Sequence, residues 1–163
     1  SEADTSSPLD GADRATLEKN TSDDITREQA NIIGVASVVD GDTIEIHGQR
    51  IRLHGIDAPE TSQTCLNSEG NEYRCGQLAA NELDTLIGGS SVECWTQDVD
   101  RYQRLISVCM FENVDINAWM IEQGLAVAYR EYSMDYAALE EEASKDRVGI
   151  WGGRFQMPWN YRN

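Results

Sequence analysis

Lysine and histidine are scarce in this 163-residue sequence: Lys19, Lys145, His47 and His54 are all there is, against 29 acidic residues. Positive charge is therefore carried almost wholly by arginine, the planar, bidentate cation suited to phosphate and carboxylate. With 13 basic residues in all the formal charge is −16 and the pI near 4.3, so non-specific adhesion to polyanions is disfavoured. No apolar run approaches the ~18 residues that span a bilayer, and the first 30 residues lack the apolar stretch of a signal peptide; the sequence as it stands reads as soluble, with no membrane partner. Two scattered histidines and no C-x-x-C pair exclude the usual zinc and facial-triad iron sites. Internal repeats are absent as well.

What is there has globular proportions, 40% hydrophobic and 26% charged, and the length predicts one domain with an appended tail. Residues 1–30 carry eight acids and three bases, leaving −5 there and −11 of the −16 elsewhere. Rich in Ser, Thr, Asp and Glu and without sustained periodicity, they predict a mobile acidic tail with at most a short helical turn over 14–19. The folded domain is expected over 31–163. Four cysteines permit three pairings. Cys94 and Cys109 lie in two strand-like segments around an Asp-rich turn and would face each other across an antiparallel pair at bonding distance. Cys65 and Cys75 would then close a polar loop. Pairing 65–75 and 94–109 implies an oxidising compartment, secreted or periplasmic; four reduced thiols in a cytosolic protein is the alternative.

Ile32–Val39, Asp42–His47 and Arg50–Ile56 read as three successive strands, with hairpin signals at Asp40-Gly41 and His47-Gly48. After a polar loop, Gly76–Ile87 places Ala79, Leu83 and Leu86 on one helical face and ends at Gly88-Gly89. The two cysteine-bearing strands follow. A second helix is expected over Val114–Gln123, capped by Asn113 or Asp115 and burying Ile116, Trp119 and Met120. A third should run from Ser133 through Lys145 on Tyr136, Leu139 and Ala143. This order predicts an α+β fold, a five-stranded Greek-key β-barrel of the OB type with three peripheral α-helices.

The chemistry is concentrated in Asp40–Thr43, Arg52–Thr61 and Asp100–Arg104. Asp40 suits a turn-forming role at Asp-Gly. Asp42 at a strand start and Asp57 at a strand end converge on one rim of the sheet, and two carboxylates there need a cation or a proton. A hard divalent ion such as calcium accepts such an irregular oxygen set. Glu60, held by Pro59, reaches a water rather than the metal, and Arg52 and Arg104 approach the same rim. Metal, water-orienting carboxylate and two arginines form a set that suits phosphoryl transfer.

The D-G-D-T of Asp40–Thr43, the R-x-x-G-I-D-A-P-E of Arg52–Glu60, the D-R-Y-x-R of Asp100–Arg104, the N-x-x-M-I-x-x-G-L-A of Asn117–Ala126 and the G-I-W of Gly149–Trp151 together resemble the staphylococcal nuclease (thermonuclease) family, across residues 32 to about 151. The resemblance implies an OB-fold barrel and calcium-dependent hydrolysis of DNA and RNA that leaves 3′-phosphate ends. Carried over by position, Asp42 and Asp57 would ligate Ca2+ by side chain and Ala58 by its backbone carbonyl. Glu60 would orient or deprotonate the attacking water, while Arg52 and Arg104 would bind the scissile phosphate. Tyr102, Tyr129 and Tyr132 fall where the family stacks bases or contacts phosphate; a packing role suits Tyr129 equally. Two features depart from the family's best-known member. Alanine stands at 58 where that protein has threonine, and the Thr61–Arg74 loop carries little positive charge. A monomer without an obligate protein partner is expected. The readings that compete are a non-catalytic OB-type nucleic-acid-binding module and an acidic calcium-binding structural protein. The stretch Arg154–Trp159 is expected to dock on the barrel.

Overall fold

Alternation of apolar and polar residues is strongest in Thr43–Ile46 and Gln49–Leu53, and these segments build the wall of a small barrel. The computed structural model describes residues 29–163; the tail expected over 1–30 lies, but for its last two residues, outside them. Strands β1 (Ile32–Asp40), β2 (Thr43–Ile46) and β3 (Gln49–Leu53) form the meander, followed by the short β4 (Ile56–Asp57). A two-stranded ribbon, β5 (Cys65–Leu66) and β6 (Glu72–Tyr73), leads into helix α1 (Cys75–Ile87). Then come β7 (Ser91–Val99), β8 (Leu105–Phe111), β9 (Val114–Asp115), α2 (Ile116–Glu122), β10 (Val127–Ala128) and α3 (Ala137–Lys145). A 3-10 turn, Gly149–Gly152, and a short α4 (Pro158–Arg162) finish the chain.

The sheet order is β9-β8-β3-β2-β1-β7, and β7 also pairs with β8, which closes β1, β2, β3, β8 and β7 into a five-stranded barrel. All its pairings are antiparallel except β3 with β8. Closure removes the exposed edges that an open sheet of this size would present. Ile44, Ile46, Ile51, Leu53 and Val92 fill the barrel, each fully buried. Ala79, Leu83 and Ile87 of α1 and Ile116, Met120 and Ile121 of α2 belong to the same core. A second, smaller cluster joins Cys65, Cys75, Val127 and Ile150, with Trp151, Phe155, Met157 and Trp159 packed on it. Both expected disulfides are present, Cys65–Cys75 and Cys94–Cys109, and the second links residues directly opposite in the β7–β8 ladder with Cα atoms 4.1 Å apart.

The barrel matches the sequence reading, with four differences that have local causes. The strand expected over Arg50–Ile56 breaks at His54-Gly55, because Gly55 takes φ +78° in a turn roofed by the Tyr136 ring, where a Cβ would approach Tyr136 Cδ2 to 2.9 Å. Helix α2 begins at Ile116 rather than Val114. Glu112 and Asn113, both at positive φ, make a two-residue hairpin turn that pairs Val114 with Phe111, and the Asp115 carboxylate then caps the helix by accepting the Ala118 N–H at 3.0 Å. Helix α3 starts at Ala137, not Ser133, since Tyr132 and Ser133 N–H groups turn back onto the Tyr129 carbonyl and Tyr136 is committed to packing. Finally, the stretch expected only to dock carries a fourth helix, α4.

Candidate active site

At the β1–β2 turn the Asp42 N–H donates to Asp40 Oδ1 at 3.2 Å, the turn-forming role expected of Asp40. This aims Asp42 inward. Its carboxylate accepts the Ala58 N–H at 2.8 Å and the Thr43 hydroxyl at 3.2 Å. After the Gly55 turn, β4 brings Asp57 to the same place, fully buried, held from behind by pairing of β4 with β10. Arg52, on β3 between them, sets Nη1 at 3.5 Å from Asp42 Oδ2 and Nη2 at 3.5 Å from Asp57 Oδ1, and is itself fixed by donating to the Leu53 and Ile56 carbonyls. One guanidinium thus faces two buried carboxylates.

The charges respond to this crowding. Burial, then the neighbouring charge of Asp42, pushes the Asp40 carboxyl from 3.8 up to about 7. Burial would raise Asp42 too. Arg52 and the hydrogen bonds from Asp40, Ala58 and Thr43 outweigh it and hold Asp42 below the usual carboxylate range. Burial also lifts Asp57, against the pull of Arg162 and Arg52.

Glu60 sits on the loop after β4, where its N–H donates to Gln63 Oε1 at 3.2 Å. The fully buried Gln63 in turn donates from Nε2 to the Gln156 carbonyl at 2.7 Å. Helix α1 presses its first turn onto the Glu60 carbonyl at Gly76; any Cβ there would collide with that carbonyl. Gln63 was not singled out from sequence. Nor was Arg162, whose α4 position brings Nη2 to 2.8 Å from Asp57 Oδ2 and Nη1 to 3.0 Å from Asp57 Oδ1 and 2.8 Å from Glu60 Oε2. No local signal betrays an arginine 105 residues away from its partner. Two further buried residues set the backbone behind the site: Asn117, the first residue of its sequence motif, and Glu140, which was missed. Asn117 ties the His54 and Ser107 carbonyls and the Cys109 N–H to α2. Glu140 accepts the Ala128 N–H at 2.7 Å and is bound by Arg130.

Of the residues expected at the site, the structure gathers Asp42, Asp57, Ala58, Arg52 and Glu60. Arg104 and Tyr102 form a separate group at the β7–β8 turn. Arg104 Nε donates to Asp100 Oδ2 at 2.7 Å, and its guanidinium lies 5.7 Å from the centre of the exposed Tyr102 ring. Tyr129 stacks on Trp159, centroids 5.1 Å apart and planes 11° apart, and meets Tyr132 edge-on at 4.6 Å. Tyr132 is 70% exposed.

Among the described residues no three His, Cys, Asp or Glu side chains form a ready metal cage. The donors that do converge, Asp42 and Asp57 with Glu60 nearby, are all oxygens, which suits a hard ion completing its shell with carbonyls and water. A cation already stands among them, the guanidinium of Arg162.

Residues 50–153 match the family model described as staphylococcal nuclease homologue. The succinoglycan biosynthesis protein ExoI of Rhizobium meliloti is 42% identical over 123 residues, 74% of this chain and 64% of that protein. A micrococcal nuclease of Shigella flexneri is 32% identical over 146 residues, 78% of each chain. An uncharacterized endonuclease of Haemophilus influenzae is 32% identical over 130 residues, 76% of this chain and 67% of its own length. The chain thus spans about two thirds of the Rhizobium and Haemophilus relatives. The match covers β3 through the 3-10 turn and so takes in Arg52, Asp57, Glu60 and Arg104, and with the barrel and its carboxylate pair it places the chain in the staphylococcal nuclease family.

Proposed function

We propose that this protein is a calcium-dependent nuclease that hydrolyses phosphodiester bonds of DNA and RNA, leaves 3′-phosphate ends, and works as a monomer outside the cytoplasm. The observation that carries the reading is Arg52 facing Asp42 and Asp57 together, with Glu60 three residues beyond on a braced loop. Buried carboxylates so close to one another call for positive charge, and the substrate backbone brings only more negative charge. Asp42 and Asp57 would hold Ca2+ by side chain, joined by the Ala58 carbonyl; the ion would supply charge neutralisation and a fixed seat for one phosphate oxygen.

The protein's own groups do the rest. Arg52 turns from its carboxylate partners to the equatorial oxygens of the scissile phosphate, where charge accumulates in the transition state. Glu60 orients a water in line with the leaving oxygen and accepts its proton. Arg104, once exchanged from Asp100 to the phosphate, assists departure of the 5′-oxygen. Tyr102, Tyr129 and Tyr132 offer ring faces and hydroxyls to bases and neighbouring phosphates. The two disulfides support an oxidising compartment, secreted or periplasmic.

The test is incubation with DNA and with RNA in calcium and in chelator, with end-group analysis of the products. Degradation only in calcium, lost in Asp42→Ala and Arg104→Ala, is expected. Activity in chelator, or retained by both variants, refutes the proposal. Binding of single strands without cleavage would make the protein a binding module instead.

A further inference from the structure

Helix α4 lies across the carboxylates and the substrate platform at once. Arg162 grips Asp57 through both Nη atoms and reaches Glu60 with one of them. One turn earlier, Trp159 covers the face of Tyr129 in a near-parallel stack. Tyr161 meets the Ser62 hydroxyl at 2.9 Å, two residues from Glu60. A bidentate arginine–carboxylate fork is among the strongest polar contacts a protein makes, and its partner Asp57 is fully buried.

The segment is anchored at its base. Arg154 is fastened to Leu66 by two backbone hydrogen bonds of 2.8 and 2.9 Å, the Gln156 carbonyl is held by Gln63, and Pro158 is buried. Beyond Pro158 the helix is kept down by Arg162 on Asp57 and Glu60, by Tyr161 on Ser62, and by Trp159, which stacks on Tyr129 and packs on the smaller core cluster. Arg162 donates to both Asp57 and Glu60, and a guanidinium stays charged at any accessible pH, so only a competing cation can take its place.

We propose that α4 is an intrachain latch: Arg162 occupies the cation position against Asp57 and Glu60, Trp159 covers Tyr129, and the helix must lift off before the site takes up a divalent ion and a nucleotide. The proposal rests on the reading of Asp42 and Asp57 as metal ligands. Closure has two effects. It engages the Glu60 oxygen that would receive a proton, and it lowers the apparent metal affinity by the fraction of time the site is open, about tenfold for a latch shut nine-tenths of the time. A divalent ion supplies two charges where Arg162 supplies one, which lets it release the helix without leaving Asp57 unpaired.

The experiment is calorimetric titration of the full chain with calcium alone, no nucleic acid present, for wild type, Arg162→Gln and Arg162→Lys, alongside tryptophan emission with Trp159→Phe as the assigning variant. The latch predicts calcium affinity at least about tenfold higher in Arg162→Gln and intermediate in Arg162→Lys, which keeps the charge and loses the fork. It also predicts a calcium-induced emission change in wild type that Trp159→Phe abolishes. Equal or weaker binding by both Arg162 variants, or Trp159 emission indifferent to calcium, overturns the latch and leaves the metal site standing. No calcium binding by any of the proteins overturns both.

Discussion

Glu140→Ala tests whether the site depends on a buried carboxylate that never touches it. Glu140 is 7% exposed and accepts the Ala128 N–H at 2.7 Å and two Arg130 donors at 2.7 and 3.0 Å. Ala128 belongs to β10, whose pairing with Ile56 and Asp57 holds β4 in place. Alanine leaves a buried backbone donor without an acceptor, at a cost of about 1–3 kcal/mol. Loss of the Arg130 pair adds less, about 0.5–1 kcal/mol, because Arg130 is 40% exposed and returns to water. The sum is about 3 kcal/mol, which at ~2–4 °C per kcal/mol for a domain of this size lowers Tm by about 6–12 °C. Glu140→Gln keeps an acceptor for Ala128 and should cost only about 1 kcal/mol. Urea unfolding with calorimetry measures both, and calcium titration should show the alanine variant binding more weakly, since Asp57 has lost its backing. If alanine costs under 1 kcal/mol, or glutamine costs as much as alanine, the account of Glu140 as an acceptor supporting β4 is wrong.

Other consequences are as direct. Asp40, raised from 3.8 to about 7 in the fold, contributes stability that is complete below about pH 4 and lost as pH rises through 7; in chelator, Asp40→Asn should flatten that decline, and an unchanged slope contradicts it. Gly76→Ala pushes on the Glu60 carbonyl and should lower kcat more than it raises KM; a rise in KM with kcat unchanged would exonerate Glu60. Opening Cys94–Cys109 with a paired serine variant removes a constraint on a 15-residue separation and should cost about 3 kcal/mol in urea unfolding; a loss under 1 kcal/mol would show the ladder alone suffices. Nuclease rate should vary little with salt or rise at low salt, because a Debye length of ~10 Å at 0.1 M screens the distant acids more than the local arginine contacts. A steep monotonic fall would contradict that.

The barrel was legible because its instructions are local: Asp40-Gly41 and His47-Gly48 mark turns, and two-residue alternation in Gln49–Leu53 assigns faces. Asp42, Arg52, Asp57 and Glu60 were legible for the same reason, since strand ends close in sequence must share a rim. Helix starts were less so, because Asp115 and Asn113 are equally good caps until the hairpin turn at Glu112-Asn113 removes one of them. Wholly hidden were Arg162, Gln63 and Glu140. Each is a polar residue whose role is defined by a backbone group or carboxylate on another element, and nothing in its own neighbourhood marks it. Arg104 is intermediate: its motif is plain, yet its side chain rests on Asp100, apart from the carboxylate pair's own partners.

The one parallel pairing among the described residues, β3 with β8, joins Ile51 to Leu105, and its effect is on the order of events during folding. The β1–β2–β3 meander and the β7–β8 hairpin can each form from near neighbours, whereas the seam between them must wait until the intervening ribbon, α1 and β7 have been laid down. Arg52 lies on one side of that seam and Arg104 immediately precedes the strand on the other. The strands that carry or adjoin the two arginines therefore come side by side only when this seam is zipped, after both local units are in place.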